Sequence, residues 1–276
     1  MLSTGRMDAA VVVVGDEILS GHVHDANTHF IATRLVLHGH RLCRAVVIGD
    51  DPGHIAAEIG RELAGSAGIV FVCGGLGPTH DDRTMEGVAA ALGADLVPCE
   101  PLAARLEELI ARAGTAGFAE ALGAAGLRKM ALAPRGAEAL VCSLGVTPAV
   151  VIDDARARIV VLPGPPRELQ TVFREAVEPR FLEGTGERVH REEIVHWFPE
   201  SALAETLSRI QADYPSVAIG SYPRAEDVLI RLAGPEDAVG AAADAVRALI
   251  DAVTSTDEGR RLVAFMDQRR ARRREE

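Results

Sequence analysis

Residues 69–73, Ile-Val-Phe-Val-Cys, form an uninterrupted apolar run that empties into Gly74-Gly75-Leu76-Gly77. A strand that is apolar at every residue must be covered on both faces, as in a parallel sheet held between helices. The glycines leave backbone N–H groups uncrowded, and the helical pattern that follows turns its partial positive end toward them. Asp81 and Asp82 stand where that helical pattern starts. A phosphate cradle with two adjacent carboxylates suits a divalent metal on a phosphate. The loop is neither a Walker A motif, since no Gly-Lys-Ser/Thr follows, nor a GxGxxG fingerprint.

The same construction recurs along the first 175 residues. An apolar run at 9–14, a strand pattern at 42–48 and a buried strand pattern at 158–162 end in Gly15-Asp16-Glu17, Gly49-Asp50-Asp51-Pro52 and Pro163-Gly164-Pro165-Pro166. Helical patterns separate them at 25–39, 54–63, 84–92 and 102–113, and another starts at Arg167. Residues 139–142 and 149–152 read as a short β pair, and the Ala/Gly-rich 114–128 as helical at best. Strands alternating with helices predict an α/β fold with a mostly parallel sheet covered on both faces. Ligands of such sheets bind beyond the carboxyl ends of the strands, here the loops 15–21, 74–82 and 163–168.

A boundary is expected near residues 179–187, Pro-Arg-Phe-Leu-Glu-Gly-Thr-Gly-Glu. Beyond it the order becomes β-α-β-β-α, with strands at 189–197, 217–221 and 228–232 and helices at 200–211 and 235–253. The predicted organisation is a main domain over 1–178, a smaller α+β domain over 188–253 and a basic tail over 254–276.

Composition narrows the partners. Apolar residues make up 48% but aromatics only 4%, so the core is built from Ala, Val, Leu and Ile. No apolar stretch approaches the roughly 18 residues of a membrane span, and the N-terminus lacks a signal-peptide core. The four cysteines form no CxxC, and Cys43, Cys73 and Cys142 lie in or beside apolar runs. They read as small buried hydrophobes of a reducing cytoplasm, not as disulfides or zinc ligands. Net charge is −11; residues 260–276 carry seven Arg against three acids, or +4, which leaves −15 on the rest. An acidic body disfavours general nucleic-acid binding. The histidines show no HExxH spacing and no serine lies in a GxSxG elbow, which argues against a ready metal cage and against acyl transfer.

Two more groups of residues carry chemistry. Gly15-Asp16-Glu17-Ile18-Leu19-Ser20-Gly21, followed by Asp25 and Asn27, places acids directly after a buried strand, although Asp25 also reads as a helix cap. Lys129 is the single lysine beside 28 arginines. It is either a surface lysine or the charge that offsets a diphosphate.

The blocks GDEILSG with Asp25 and Asn27, GGLGPTHDDRT, RKMALAPRGA and PGPPREL, in this order, resemble the molybdopterin-binding (MoaB/Mog-like) domain family over about residues 8–178. The branch most similar is the N-terminal part of the competence/damage-inducible CinA proteins, and 188–253 resembles the small domain that follows there. The resemblance implies a three-layer α/β fold, a homo-oligomer, and Mg2+ or another divalent metal on Asp81 and Asp82. It implies catalytic roles for Asp81, Asp82, Asp16, Glu17 and Asp25, of which Asp16, Glu17 and Asp25 would line the pocket. Gly74, Gly75, Gly77 and Thr79 would bind phosphate and Lys129 would neutralise it, with Gly15, Gly21, Asn27, Thr84, Gly164 and Pro165 completing the ligand site.

The expected function is metal-dependent hydrolysis of a nucleotide diphosphate of the ADP-ribose or FAD type. The alternatives are binding or adenylyl transfer on a pterin phosphate, or a non-catalytic binding module. The amidohydrolase domain that often closes CinA chains is absent from this sequence, so nicotinamide-nucleotide deamidation is not implied. Leu127, Cys142 and Ala149 depart from the family pattern, which has two Asn and a Gly there.

Overall fold

The computed structural model describes residues 5–113, 126, 128–143, 148–187, 189–197, 199–224 and 227–275. The chain divides into two compact units, Met1–Glu187 and Arg188–Glu276.

The first unit is built on a six-stranded sheet in the order β2-β1-β3-β8-β7-β6. Its strands are β1 (Asp8–Val14), β2 (Arg41–Ile48), β3 (Ile69–Cys73), β6 (Glu138–Leu140), β7 (Ala149–Asp153) and β8 (Arg158–Leu162). The four strands β2, β1, β3 and β8 are parallel, while β7 and β6 run antiparallel to their neighbours. A separate antiparallel pair joins β4 (Leu96–Pro98) to β5 (Leu132–Pro134). Three residues per strand give too short a pattern for alternation to register, which is why the sequence reading passes over β4 and β5.

Side chains of β1 alternate between two cores. Ala9, Val11 and Val13 pack with Ile31 and Leu35 of α2 (Asn27–Leu37) and with Leu169 of α6 (Pro166–Val172). Ala10, Val12 and Val14 pack with Ile55 and Ile59 of α3 (Pro52–Leu63) and Val88 of α4 (Thr84–Leu92). A strand with no polar face therefore sits between two helical layers, as its composition requires. The short α1 (Asp16–Leu19) follows β1, and α5 (Glu100–Ala113) follows β4.

Strand order locates the binding crevice. From β1 the chain moves to β2 at one side, then crosses back to β3 on the other. The loops after β1 and β3 thus diverge at a topological switch point, where open α/β sheets bind ligands.

His40 is a buried titratable group that fastens the N-terminal strand. It is 4% exposed; Nδ1 accepts the Met7 N–H at 3.3 Å, and Nε2 lies 3.0 Å from the Thr185 hydroxyl. Burial, followed by the nearby His38 charge, holds the imidazole below its usual pKa against the backbone carbonyl of Leu182. A second proton would remove the acceptor for Met7. The unfolded chain takes up protons first, so this stability is complete above about pH 6.5 and is lost as pH falls below it. The melting temperature is expected to fall between pH 7 and 5, and by less in His40→Asn. An equal fall in both proteins would refute the assignment.

The second unit contains β9 (His190–His196), α7 (Ala204–Asp213), β10 (Ala218–Pro223), β11 (Val228–Gly234) and α8 (Glu236–Ser255). Its antiparallel sheet runs β10-β11-β9, and Ile194, Leu207, Ile230, Leu232 and Val239 share one core. Residues Asp257–Glu275 form a further helix. Among the described residues no helix is long and apolar enough to cross a membrane.

Candidate functional site

The carboxyl ends of the parallel strands meet at one rim, formed by Ile48, Val14, Cys73 and Leu162. Gly74 is the knot of that rim. Its φ is 101°, and its N–H donates to the Leu162 carbonyl at 3.1 Å. A Cβ at Gly74 would lie 2.3 Å from the Val14 carbonyl oxygen, so β1 tolerates no side chain there. Gly75, with φ 64°, faces Thr84 in the same way: a Cβ would meet its hydroxyl at 2.3 Å. Thr84 is wholly buried; its hydroxyl donates to Gly74 O at 2.8 Å and its N–H to Gly75 O at 3.2 Å. It fixes the loop from behind and presents no surface to a ligand.

Asp82 turns back onto this loop. Its Oδ2 accepts the Thr79 N–H at 2.8 Å and contacts the Thr79 hydroxyl, while Asp81 Oδ1 contacts the same hydroxyl. A Cβ on Gly77 would fall 2.5 Å from Asp82 Oδ2, so the carboxylate lies against the glycines. Lys129 Nζ donates to the Thr79 carbonyl from the other side. The Thr79 hydrogen bond, followed by backbone and by the His80 and Lys129 charges, holds the exposed Asp81 carboxyl below its ordinary pKa.

A second group of acids gathers at the ends of β1 and β2. The Gly15 N–H donates to the Ile48 carbonyl at 3.0 Å, which brings α1 beside β2. The Asp16 N–H then donates to Asp50 Oδ2 at 3.0 Å. Burial, followed by the Asp16, Glu17 and Asp81 charges, raises the Asp50 carboxyl, with the Asp16 N–H opposing. Asp50 is the residue that the sequence reading missed, because Gly49-Asp50-Asp51-Pro52 serves equally as a turn. The signal was positional: Asp50 follows its strand end as Asp16 follows β1. Asp51, by contrast, caps α3 through the His54 N–H at 3.0 Å.

Other expected site residues have structural duties. Asp25 Oδ1 accepts the N–H groups of Asn27 at 2.9 Å and Thr28 at 3.1 Å, so it closes the start of α2 although the capping position is Ala26. Asn27 is 5% exposed; its Nδ2 donates to Gly164 O at 2.8 Å, and its Oδ1 has no partner among the described residues. Gly21, with φ 76°, reverses the chain after α1 and is exposed.

A cavity of about 570 Å³ opens over the loop, bounded by Glu17, Val23, Gly74 to Pro78, Asp82, Met130, Pro163 to Pro166 and Glu168. A recess of about 60 Å³ adjoins it, and Lys129 lies on its wall. Asp82 borders both. The structure therefore brings Glu17, Gly74, Gly75, Gly77, Asp82, Gly164, Pro165 and Lys129 to one site. Asp16, Asp81 and Thr79 stand beside it, and Asp25, Gly21 and Thr84 border neither space. Of the positions that depart from the family pattern, Cys142 and Ala149 lie at this end of the sheet but line neither space, and Leu127 lies outside the described residues.

The donor set fits a magnesium-type cation completed by a ligand. Two carboxylates crowd one hydroxyl that has a single proton, which leaves acceptor capacity beside the glycines. Among the described residues no three metal-ligating side chains converge, so there is no all-protein cage. Mg2+ characteristically uses one or two carboxylates, waters and the phosphates of its ligand.

Residues 10–183 match the family described as "Probable molybdopterin binding domain", and residues 188–257 match "FAD synthase, middle domain". A Thermococcus kodakarensis protein is 37% identical over 219 residues, which cover 79% of this chain and 86% of that one. A CinA-like protein of Mycobacterium avium is 39% identical over 75% of this chain. The chain spans about half the length of that relative, 50%. The crystal structure of CinA, of unknown function, from Thermoplasma acidophilum is 29% identical with a TM-score of 0.56. That match covers 63% of this chain and 98% of the other.

Proposed function

We propose, from the premise that this chain belongs to the molybdopterin-binding (MoaB/Mog-like) domain family, in its CinA-like branch, that it hydrolyses a nucleotide diphosphate with a divalent metal. The observation that carries this reading is Asp82, whose carboxylate lies against Gly77 and Thr79 and borders both spaces of the site. The match of residues 188–257 to a FAD synthase domain supports a nucleotide ligand.

Asp81 and Asp82 would hold the metal, which when bound supplies Lewis-acid polarisation of phosphorus and lowers the pKa of water. The N–H groups of the glycine loop would bind phosphate oxygens, and Lys129 would neutralise a further charge. Glu17 or Asp16 would take a proton from the attacking water as general base, with Asp50 orienting the Asp16 backbone. The water oxygen forms the new bond to phosphorus as the bridging P–O bond breaks. The bridging oxygen leaves with the other half as a phosphate monoester.

ADP-ribose and FAD, each incubated with Mg2+, Mn2+ or Co2+, should release AMP, measured by chromatography. Absence of AMP under all these conditions would overturn the hydrolytic reading. The family match favours a second reading, a pterin phosphate in the same cavity without hydrolysis. It predicts pterin fluorescence from the purified protein.

A further inference from the structure

The second unit carries a groove of its own, about 520 Å³, between α7 and β10. Ala204, Leu207, Ser208 and Gln211, spaced along one face of α7, line one side, and Ile219 and Ser221 of β10 line the other. Strand β10 ends its sheet and pairs with β11 alone. The pairing is antiparallel, so successive residues turn their backbone groups alternately toward β11 and away from it. At the hairpin end the Arg224 N–H donates to the Asp227 carbonyl at 2.8 Å, which fixes the phase. Ala218, Gly220 and Tyr222 bond to β11, while Ile219, Ser221 and Pro223 turn outward. Pro223, with no N–H, thus stands where the ladder loses nothing.

Gln211 shows what this outer edge accepts. Its Oε1 accepts the Ile219 N–H at 2.9 Å, and its Nε2 donates to the Val217 carbonyl at 2.6 Å. One side-chain amide makes the two bonds that a residue of an adjoining strand would make. The next outward pair, the Ile219 carbonyl and the Ser221 N–H, meets no group among the described residues. The Ser221 hydroxyl is buried beside them, also without a partner among those residues.

We propose that this groove binds an extended peptide of a partner protein, which adds to β10 as a fourth strand next to Gln211 and lays alternate side chains against Ala204 and Leu207 of α7. Main-chain bonds to an open strand edge supply affinity in this mode of recognition, and the groove beside the edge selects side chains. Glu200 is the one charged side chain in the lining among the described residues, so the peptide carries a basic residue at that end. The same carboxylate repels a nucleic-acid backbone. Gln211 at one end and Pro223 at the other leave a short open stretch. It registers a single peptide strand but offers little to a whole second sheet.

The probe is a fluorescein-labelled, C-terminally amidated peptide Lys-Val-Thr-Val-Thr, titrated with the full chain and followed by anisotropy. Binding should saturate, and it should weaken at least about 3-fold when Glu replaces the peptide's Lys. At saturation, hydrogen exchange of the Ser221 N–H should slow at least about 10-fold, while that of Gly220, already bonded to β11, stays unchanged. Ser221→Pro removes the outward N–H and spares the ladder, so it should weaken binding at least about 10-fold; Ser221→Ala keeps the N–H and should stay within about 3-fold. Should Ser221→Pro fail to fold, Ala204→Trp fills the groove from an exposed position on α7 and should cause the same loss. No binding, an unprotected Ser221 N–H, or binding indifferent to these variants overturns the proposal. So does an eight-nucleotide single strand that binds more tightly than the peptide and is lost in Ala204→Trp, or a dimer that Ser221→Pro dissociates, since these assign the edge to nucleic acid or to a second copy. Each of these failures leaves the reading of the first unit standing.

Discussion

Asp82→Asn should reduce AMP release from ADP-ribose by at least about 100-fold, since even outer partners of a metal ligand cost 10- to 100-fold. The substitution keeps an oxygen that accepts the Thr79 N–H, so the turn from Gly77 to Asp82 survives. What it removes is one negative charge beside the glycine loop. Because Asp82 is only half-buried and the hydrogen bond persists, the melting temperature should shift by no more than about 2 °C. Asp81→Asn should cost less, since Asp81 is exposed and borders neither space. Undiminished AMP release from Asp82→Asn, or an equal loss with a collapsed melting temperature, would remove Asp82 from the chemistry.

Glu178→Ala should have the largest effect on stability. Glu178 is 3% exposed and accepts two bonds from the Arg34 guanidinium, with Nε and Nη2 on its two oxygens. His38 Nε2 lies 3.4 Å from the same carboxylate. Burial pushes the carboxyl pKa up, but Arg34 and His38 outweigh it and leave the group below its ordinary value. Removing Glu178 strands a half-buried guanidinium, a loss of about 3–5 kcal/mol. For a unit of this size the melting temperature should fall by roughly 6–20 °C. The double variant Arg34→Met/Glu178→Leu should be less damaging than either single change, because it leaves no charge uncompensated. Additive losses in a double-mutant cycle would show that the pair is not coupled.

Much of this molecule is legible from apolar runs and what ends them. The runs at 9–14 and 69–73 have no polar face, so they can only be inner strands, and they are β1 and β3. The glycine loop is legible because Gly74 and Gly75 take positive φ where a side chain would strike Val14 and Thr84. Thr84 itself is less transparent. A threonine next to an acidic loop looks like a ligand contact, yet its hydroxyl is consumed by Gly74 O within the fold. Asp25 is similar: its oxygen completes the start of α2. Asp50 lies 34 positions from Asp16, and only the parallel pairing of β1 with β2 brings the two together.

By itself the sequence determined which strands are buried on both faces and that acids follow the strand ends. Both are local consequences of side-chain polarity and backbone freedom. The tertiary structure alone decided which acids share a site. The order β2-β1-β3 puts the switch point between β1 and β3, and the fold of the 74–82 loop turns Asp82 back onto the glycines. Proximity of that kind arises from pairing between distant segments, and no local pattern encodes it.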